Sequence, residues 1–403
     1  MNCRHLVAAA AAAFLLAGCG ERPPVGAAAS AAAVQGVTDT EVMIGSLQDL
    51  SGPLTSWGVP VRNGLQMAID EANAEGGVHG RTIRLVVEDS AYDPKKAVLA
   101  AQKLVTQERV FATVGTLGTP VVQATMPRIL ERGVLHLFPL TGAKETYEPL
   151  HPLKFASNTP YSDIIQVGLA RMLDDKQVTR VGILYQDDDF GLTVFEGAQA
   201  LLKARGLAPV SVTTYKRGAT DFSAQIARMR ADGAELVVLG TVVRETIGAM
   251  QAARALGWDV TFFASHAAYT GEVPKNGGAA VEGLYAMGQI PFPYADDSNP
   301  AVRAWVERYQ RKFGVAANVQ AVFGYVSGSL FLAGLEAAGR DLTAEGYAGA
   351  LVAMGPWVDA TLGGSPIDFS ATNHLGIRSG FLAEVQNGRW VQLTETLPIP
   401  AGR

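Results

Sequence analysis

Catalysis and metal binding need nucleophiles, bases or ligands recurring at fixed spacing, and this sequence offers few such places. Cysteine occurs twice, at Cys3 and Cys19, so everything after Cys19 lacks both a disulfide and a thiolate metal site. The six histidines are scattered without zinc-ligand spacing. No Gly-x-Ser-x-Gly elbow, phosphate loop, His-Glu-x-x-His or Cys-x-x-Cys occurs, and Gly324-Tyr325-Val326-Ser327-Gly328 carries its serine at the wrong offset. Asp187-Asp188-Asp189 has the composition of a metal cluster, but three consecutive side chains diverge, so it reads as a solvated loop. The patterns predict no catalysis, no metal and no cofactor.

Strands and helices alternate through the body. Val42–Leu47, Ile83–Glu88, Val110–Gly115 and Val134–Phe138 read as strands. Between them, Val61, Leu65, Ala68, Ile69 and Ala72 recur at helical spacing up to Gly76-Gly77, Asp93-Pro94 opens a second helix, and Pro120–Glu131 forms a third. The rhythm then restarts. Tyr161–Leu173, Val194–Ala204, Phe222–Met229 and Thr246–Leu256 read as helices, and Arg180–Tyr185, Val210–Thr214, Glu235–Gly240 and Thr261–Phe263 as strands. Helices follow at Val302–Phe313, Phe323–Ala338 and Tyr347–Met354, and residues 377–394 alternate like a hairpin turning at Gln386–Arg389. Alternation of this kind requires right-handed crossovers and parallel sheets covered on both faces. The expectation is α/β: two doubly wound parallel-sheet lobes.

Ligands of open parallel sheets bind outside the carboxyl ends of the strands. Here those ends carry small, polar or Gly-rich segments: Asp49–Gly58, Gly115–Pro120, Leu140–Ala143, Gln186–Gly191, Gly240–Val243 and Ala264–Tyr269. Helices begin after several of them, and helix N-termini suit an anionic group such as a carboxylate. Trp57 either caps a lobe edge or faces the cleft, Thr119 caps the helix opening at Pro120 or binds ligand, and His266 is a ligand contact or a structural histidine. Tyr269 is a further pocket candidate, while Tyr325 reads as core. The 403 residues suit two lobes. A net charge of -5 with a pI near 5.8 argues against a nucleic-acid binder, which needs a basic face.

The start of the chain is of another kind. Arg4 and His5 precede an apolar run from Leu6 to Leu16, then Leu16-Ala17-Gly18-Cys19. This reads as a signal peptide over 1–18. The cysteine after small residues resembles a bacterial lipobox, which implies acylation at Cys19. Residues 19–36, rich in Ala with Pro23 and Pro24, then form a tether. The expected location is the periplasmic side of a membrane, held by lipid.

From Ser51 on, the residues resemble one family. Ser51-Gly52-Pro53, Trp57-Gly58, Asn63-Gly64, Ala68–Asn73 and Gly76–Arg81 are similar to the leucine/isoleucine/valine-binding family of periplasmic proteins, the substrate-binding components of ABC importers. The resemblance continues through Glu88-Asp89, Asp93–Ala97, Gly115-Thr116, Phe138-Pro139, Tyr185–Asp187, Phe190-Gly191, Asp221–Ser223 and Ala253–Gly257, covering roughly residues 40 to 390. It implies the type I periplasmic binding protein fold. Three crossover strands, near Lys154–Asn158, Leu284–Gln289 and Gly364–Asp368, would divide an N-lobe (37–155 and 290–365) from a C-lobe (156–289 and 366–396). It further implies a monomer that closes like a clamp on a small solute and docks on ABC permease subunits in the inner membrane. The same clamp in a sensing system is the alternative.

Carried over by residue, the resemblance places Trp57 over the ligand, Thr119 on its carboxylate with Leu117 and Gly118 alongside, and Leu140 and Thr141 as backbone donors. Phe190, Thr241 and His266 come from the C-lobe, with Tyr269 nearby. Two departures stand out. Tyr92 and Gly118 fall where family members often carry a disulfide. The acid that receives a substrate ammonium is missing from Phe263–Tyr269, with Glu272 and Asp187 as its nearest substitutes. A carboxylate without an amino group therefore fits as well as an amino acid.

Overall fold

The structure, a computed structural model, describes residues 33–399. The signal peptide, Cys19 and most of the tether expected over 19–36 lie outside the described residues.

The first sheet is parallel, in the order β2 (Thr82–Asp89), β1 (Glu41–Gln48), β3 (Ala112–Val114), β4 (Leu135–Leu137), β5 (Lys154–Phe155). Helices α1 (Thr55–Ala74), α2 (Pro94–Lys103) and α3 (Thr119–Glu131) make the crossovers. Local chemistry sets where they begin. Asp93 caps α2 by accepting from the Lys95 and Lys96 N–H groups at 2.8 and 3.1 Å, with Pro94 in the first turn. Buried Asp49 gathers the loop before α1, accepting from Gly52 N at 2.5 Å and Leu54 N at 2.6 Å. That turn brings α1 forward to Thr55, so Trp57 sits in a helix rather than in the loop its Gly/Pro neighbours suggested.

The second sheet repeats the winding. Helix α4 (Tyr161–Lys176) leads to β6 (Val181–Gln186), α5 (Asp189–Ala204), β7 (Ser211–Tyr215), α6 (Ser223–Ala231), β8 (Leu236–Gly240), α7 (Val243–Ala255), β9 (Thr261–Ala264), α8 (Glu272–Gly277) and β10 (Tyr285–Gly288). The order β7-β6-β8-β9-β10 is parallel. The sheet continues antiparallel through a hairpin turning at Asn387 and Gly388, both with positive φ. In each sheet the winding reverses between two central strands, β1/β3 and β6/β8, and crevices for ligands open at such points.

Between β10 and the last strands of the chain come α9 (Pro300–Phe313), α10 (Val319–Ala338) and α11 (Ala344–Ala353). The strand expected to cross at Gly364–Asp368 does something else. Trp357–Asp359 (β11) and Gly363–Ile367 (β12) form a small antiparallel pair, and Phe369 still packs on Phe138 and Phe155 of the first half. The chain reaches the second sheet only at β13 (Ser379–Gln386), which pairs with β14 (Arg389–Gln392) and β15 (Leu397–Pro398). On the way it runs beside Ala156, whose N–H donates to His374 O at 2.9 Å while Gly376 N donates to Ala156 O at 2.8 Å. The crossing segments are tied together. Gln289 Oε1 accepts from Thr159 N at 2.7 Å, and Thr159 Oγ1 donates to Ser379 O at 2.8 Å.

Among the described residues, α10 alone is long and apolar enough to cross a membrane, but it is a core helix whose backbone lies against α1. A Cβ on Gly64 would stand 1.9 Å from Ala321 O, and one on Gly324 would stand 2.0 Å from Val61 O. No side chain fits either position without parting the helices. Gly64→Ala is accordingly expected to cost about 1–3 kcal/mol through overpacking. Urea denaturation reads this as a lower midpoint at constant slope; an unshifted midpoint would mean the two helices separate freely.

Candidate functional site

The carboxyl ends of the two sheets face each other, and a cavity with about 340 Å³ of unfilled space, its mouth included, lies between them. The first half contributes Leu54 and Trp57 from the start of α1, Tyr92 from the loop after β2, Leu117, Gly118 and Thr119 from the turn after β3, and Leu140 after β4. The second half contributes Tyr161 at the start of α4, Phe190 at the start of α5, Val242 before α7, and Ala267 after β9. The halves already touch beside it. Arg217 Nη1 donates to Tyr92 O at 2.9 Å, and the guanidinium lies 5.4 Å from the centre of the Tyr92 ring.

This arrangement, two similarly wound halves with a cavity between them, has a family match. The family profile described as periplasmic binding protein matches residues 41–389. The chain belongs to the periplasmic binding protein family. A similar relative is the leucine-specific-binding protein of Salmonella typhimurium, 27% identical over 275 residues that cover 68% of this chain and 73% of the relative. Similar solved structures include a fatty acid ABC transporter substrate-binding protein from Thermomonospora curvata, at 24% identity and TM-score 0.82, covering 91% of this chain and 94% of that one. A branched chain amino acid ABC transporter from Thermus thermophilus with bound valine follows at 21% identity and TM-score 0.80, covering 89% and 96%. The fold is that of the type I periplasmic binding proteins, and the family is one of binding proteins, not enzymes. The family name places the protein in the periplasm.

In this periplasmic binding protein the expected site residues divide into three groups. Trp57, Leu117, Gly118, Thr119, Leu140 and Phe190 line the cavity. Thr141, Thr241 and His266 stand directly behind it. The Thr241 hydroxyl lies 2.6 Å from Thr246 Oγ1 under the start of α7, and the adjacent residue, Val242, faces the cavity instead. His266 stacks on Tyr161 at 4.5 Å, again with its neighbour Ala267 on the wall. Tyr269 is elsewhere. It packs among Trp390, Phe381 and Phe292, with centroids 5.0, 5.8 and 6.3 Å away, because the turn after His266 carries it to the hairpin side.

Leu54, Tyr92, Tyr161, Val242 and Ala267 were not among the expected pocket residues. Val242 and Ala267 sit one position from residues that were named. Tyr92 follows a strand end as the other loops do, and its position is explained by Gly118. With φ at +93°, Gly118 lies so close to the Tyr92 ring that a Cβ would meet Cε2 at 2.5 Å. The tyrosine ring thus fills the place where the resemblance set a disulfide.

The polar groups follow a simple accounting. Leu117 N donates to Leu47 O, Gly118 N to Leu140 O, Leu140 N to Thr116 O, and Thr141 N to Pro139 O. The backbone donors expected of Leu140 and Thr141 are therefore used within the loops. What remains is at the start of α3. Thr119 is its first residue rather than its cap, with Gly118 in the capping position. Its Oγ1 lies 2.6 Å from Thr141 Oγ1, which also accepts from Ala143 N at 3.1 Å. Two hydroxyls bring two protons and their contact uses one, leaving one to donate. Trp57 Nε1 is buried without a partner. Pro120 brings no N–H to the first turn of α3 and Val122 N donates to Gly118 O at 2.9 Å, which leaves the Thr119 and Val121 N–H groups without an acceptor within the helix.

Charge is scarce on the walls. Burial pushes the His266 ring down to about 3, which keeps it neutral, and leaves its Nδ1 without a partner. Asp188, which the sequence reads as part of a solvated run, is the half-buried cap of α5. It accepts from Phe190 N and Gly191 N at 3.1 and 3.3 Å and pairs with Arg217 at 3.3 Å. No group of His, Cys, Asp and Glu suited to a metal occurs among the described residues.

His136 is likewise fully buried and pushed down to about 3. Both rings sit below the ordinary value of about 6.5, so the unfolded chain binds more protons than the native one. Their stabilising contribution is complete above pH ~6.5 and declines as pH falls from there toward 3. Urea midpoints followed from neutral to acid pH should fall, and fall less in His136→Gln once its neutral-pH stability is subtracted. Parallel pH slopes would assign the acid sensitivity to other groups.

Proposed function

We propose that the protein is the lipid-anchored substrate-binding component of an ABC importer of the branched-chain amino acid type. It captures a small carboxylate-bearing solute, an amino acid or a related organic or aromatic acid, when its two halves close. The observation that carries this reading is the composition of the cavity wall: loops from the carboxyl ends of both sheets meet around one space. A ligand touching both halves favours the closed arrangement by its differential affinity, whereas one touching a single half shifts nothing.

The unspent donors at the start of α3 suit a carboxylate, and the aromatic and aliphatic walls suit an apolar body. The ligands named for two structural relatives, valine in one and fatty acid in another, share that combination. The halves are taken as 37–155 and 290–365 against 156–289 and 366–396. The packing of Phe369 on Phe138 supports a third change of side nearer 370–378. The protein acts as a monomer that presents its closed face to the permease subunits, held near them by acyl chains on Cys19.

Native mass spectrometry of the purified protein should find a co-purified carboxylate-bearing ligand. Thr119→Val and Trp57→Ala should each weaken its binding about tenfold or more, as expected when a ligand loses a buried partner, with little change in Tm. Unchanged affinity in both variants would remove the pocket assignment. Cys19→Ser should move the protein from the membrane to the soluble fraction, and continued sedimentation with membranes would count against the lipid anchor.

A further inference from the structure

We infer that the ligand of this cavity is a monocarboxylate without an amino group: an apolar aliphatic or aromatic body carrying one anionic head. This rests on the proposed capture of a carboxylate and narrows it.

The cavity offers donors to an anion and almost nothing to a cation. Its spare donors are the second proton of the Thr119–Thr141 pair, the Thr119 and Val121 N–H groups at the start of α3, and the Trp57 indole N–H, which is buried and unpartnered. Against them stands one spare acceptor just behind the wall, a ring nitrogen of neutral His266, which carries no counter-charge. The nearby loop carbonyls of Thr116 and Leu140 already accept from Leu140 N and Gly118 N. No aspartate or glutamate lines the wall. An alkylammonium enclosed here would keep its charge without a counter-charge and with few acceptors, which is strongly unfavourable.

Each acid that might supply the missing charge is engaged or set back. Asp188 bonds Gln186 Nε2 at 2.6 Å, caps α5 and pairs with Arg217. Asp187 pairs with Lys216. Glu272 accepts from Gln320 Nε2 at 2.8 Å and Asn318 Nδ2 at 3.3 Å. Glu245 keeps one unpartnered oxygen, but it is in the first turn of α7, off the wall that Val242 forms. The two tyrosine rings do not replace an acid: the Tyr161 ring is stacked by neutral His266, and the Tyr92 ring already has the Arg217 guanidinium over it, which repels a second cation. The Trp57 and Phe190 rings carry no formal charge to offset an ammonium.

The test is calorimetry on the full-length protein, freed of bound ligand by unfolding and refolding. The probes are matched pairs differing by the amino group: isocaproate against leucine and hydrocinnamate against phenylalanine, with glycine betaine as the quaternary case. The acid is expected to bind at least about tenfold tighter than its amino-acid partner in one or both pairs. Tighter binding of leucine, phenylalanine or betaine overturns this inference and leaves carboxylate capture standing. If none of the five binds, the carboxylate reading itself fails. Ala267→Asp, which adds an acid to the wall, should narrow or reverse the acid-to-amino-acid ratio, and an unchanged ratio in the folded variant would also count against the inference. Should that variant not fold, the wild-type ratios decide alone.

Discussion

A parallel strand can be followed by another only if the chain crosses back over the sheet, and with L-residues that crossing is right-handed. Every strand of such a sheet therefore ends at the same edge, where the loops lead into helix starts. This protein applies the constraint twice with the same winding, β2-β1-β3-β4-β5 and β7-β6-β8-β9-β10. Where the winding reverses, neighbouring crossovers part to opposite faces and leave a crevice. Two such crevices face one another, and the cavity is the space they share.

The chemistry of that space follows from how backbone groups are satisfied. Loop N–H and C=O groups near the cavity mostly pair with each other, as Leu117 does with Leu47 and Gly118 with Leu140. A helix start cannot complete such pairing internally. Spare donors of the wall thus collect at the start of α3, next to the Thr119–Thr141 contact. The rest is aromatic and aliphatic. The close approach of Gly118 to Tyr92 makes the wall continuous, since any side chain at Gly118 would push the ring away.

Closure needs halves that are rigid in themselves and joined by few strands. The α1–α10 contact, made through Gly64 and Gly324, supplies rigidity within the first half. The bonds among Thr159, Gln289 and Ser379 bind the crossing segments to one another. The proposed closure would turn the halves about these bonded segments. Tyr92 meets Arg217 and Gln186 of the other half across the gap.

The sequence by itself determined the α/β class, the restart of the strand–helix rhythm, the terminal hairpin at Asn387-Gly388, and the loops in which ligand contacts would be found. Those are local matters of hydrophobic period, turn residues and caps, and they are written in contiguous residues. It located Phe190 through the family resemblance, while the Asp188 cap that starts the helix there was legible only in the structure. Only the tertiary structure decided which member of each loop faces the cavity. Val242 rather than Thr241, and Ala267 rather than His266, are differences of one position, set by how the helices after β8 and β9 pack. It also decided that Tyr269 belongs to the Trp390 cluster, that Phe369 stays with the first half, and that Tyr92 fills the space beside Gly118. Each depends on a partner distant in sequence, and composition and spacing carry no record of which distant partner a residue will meet.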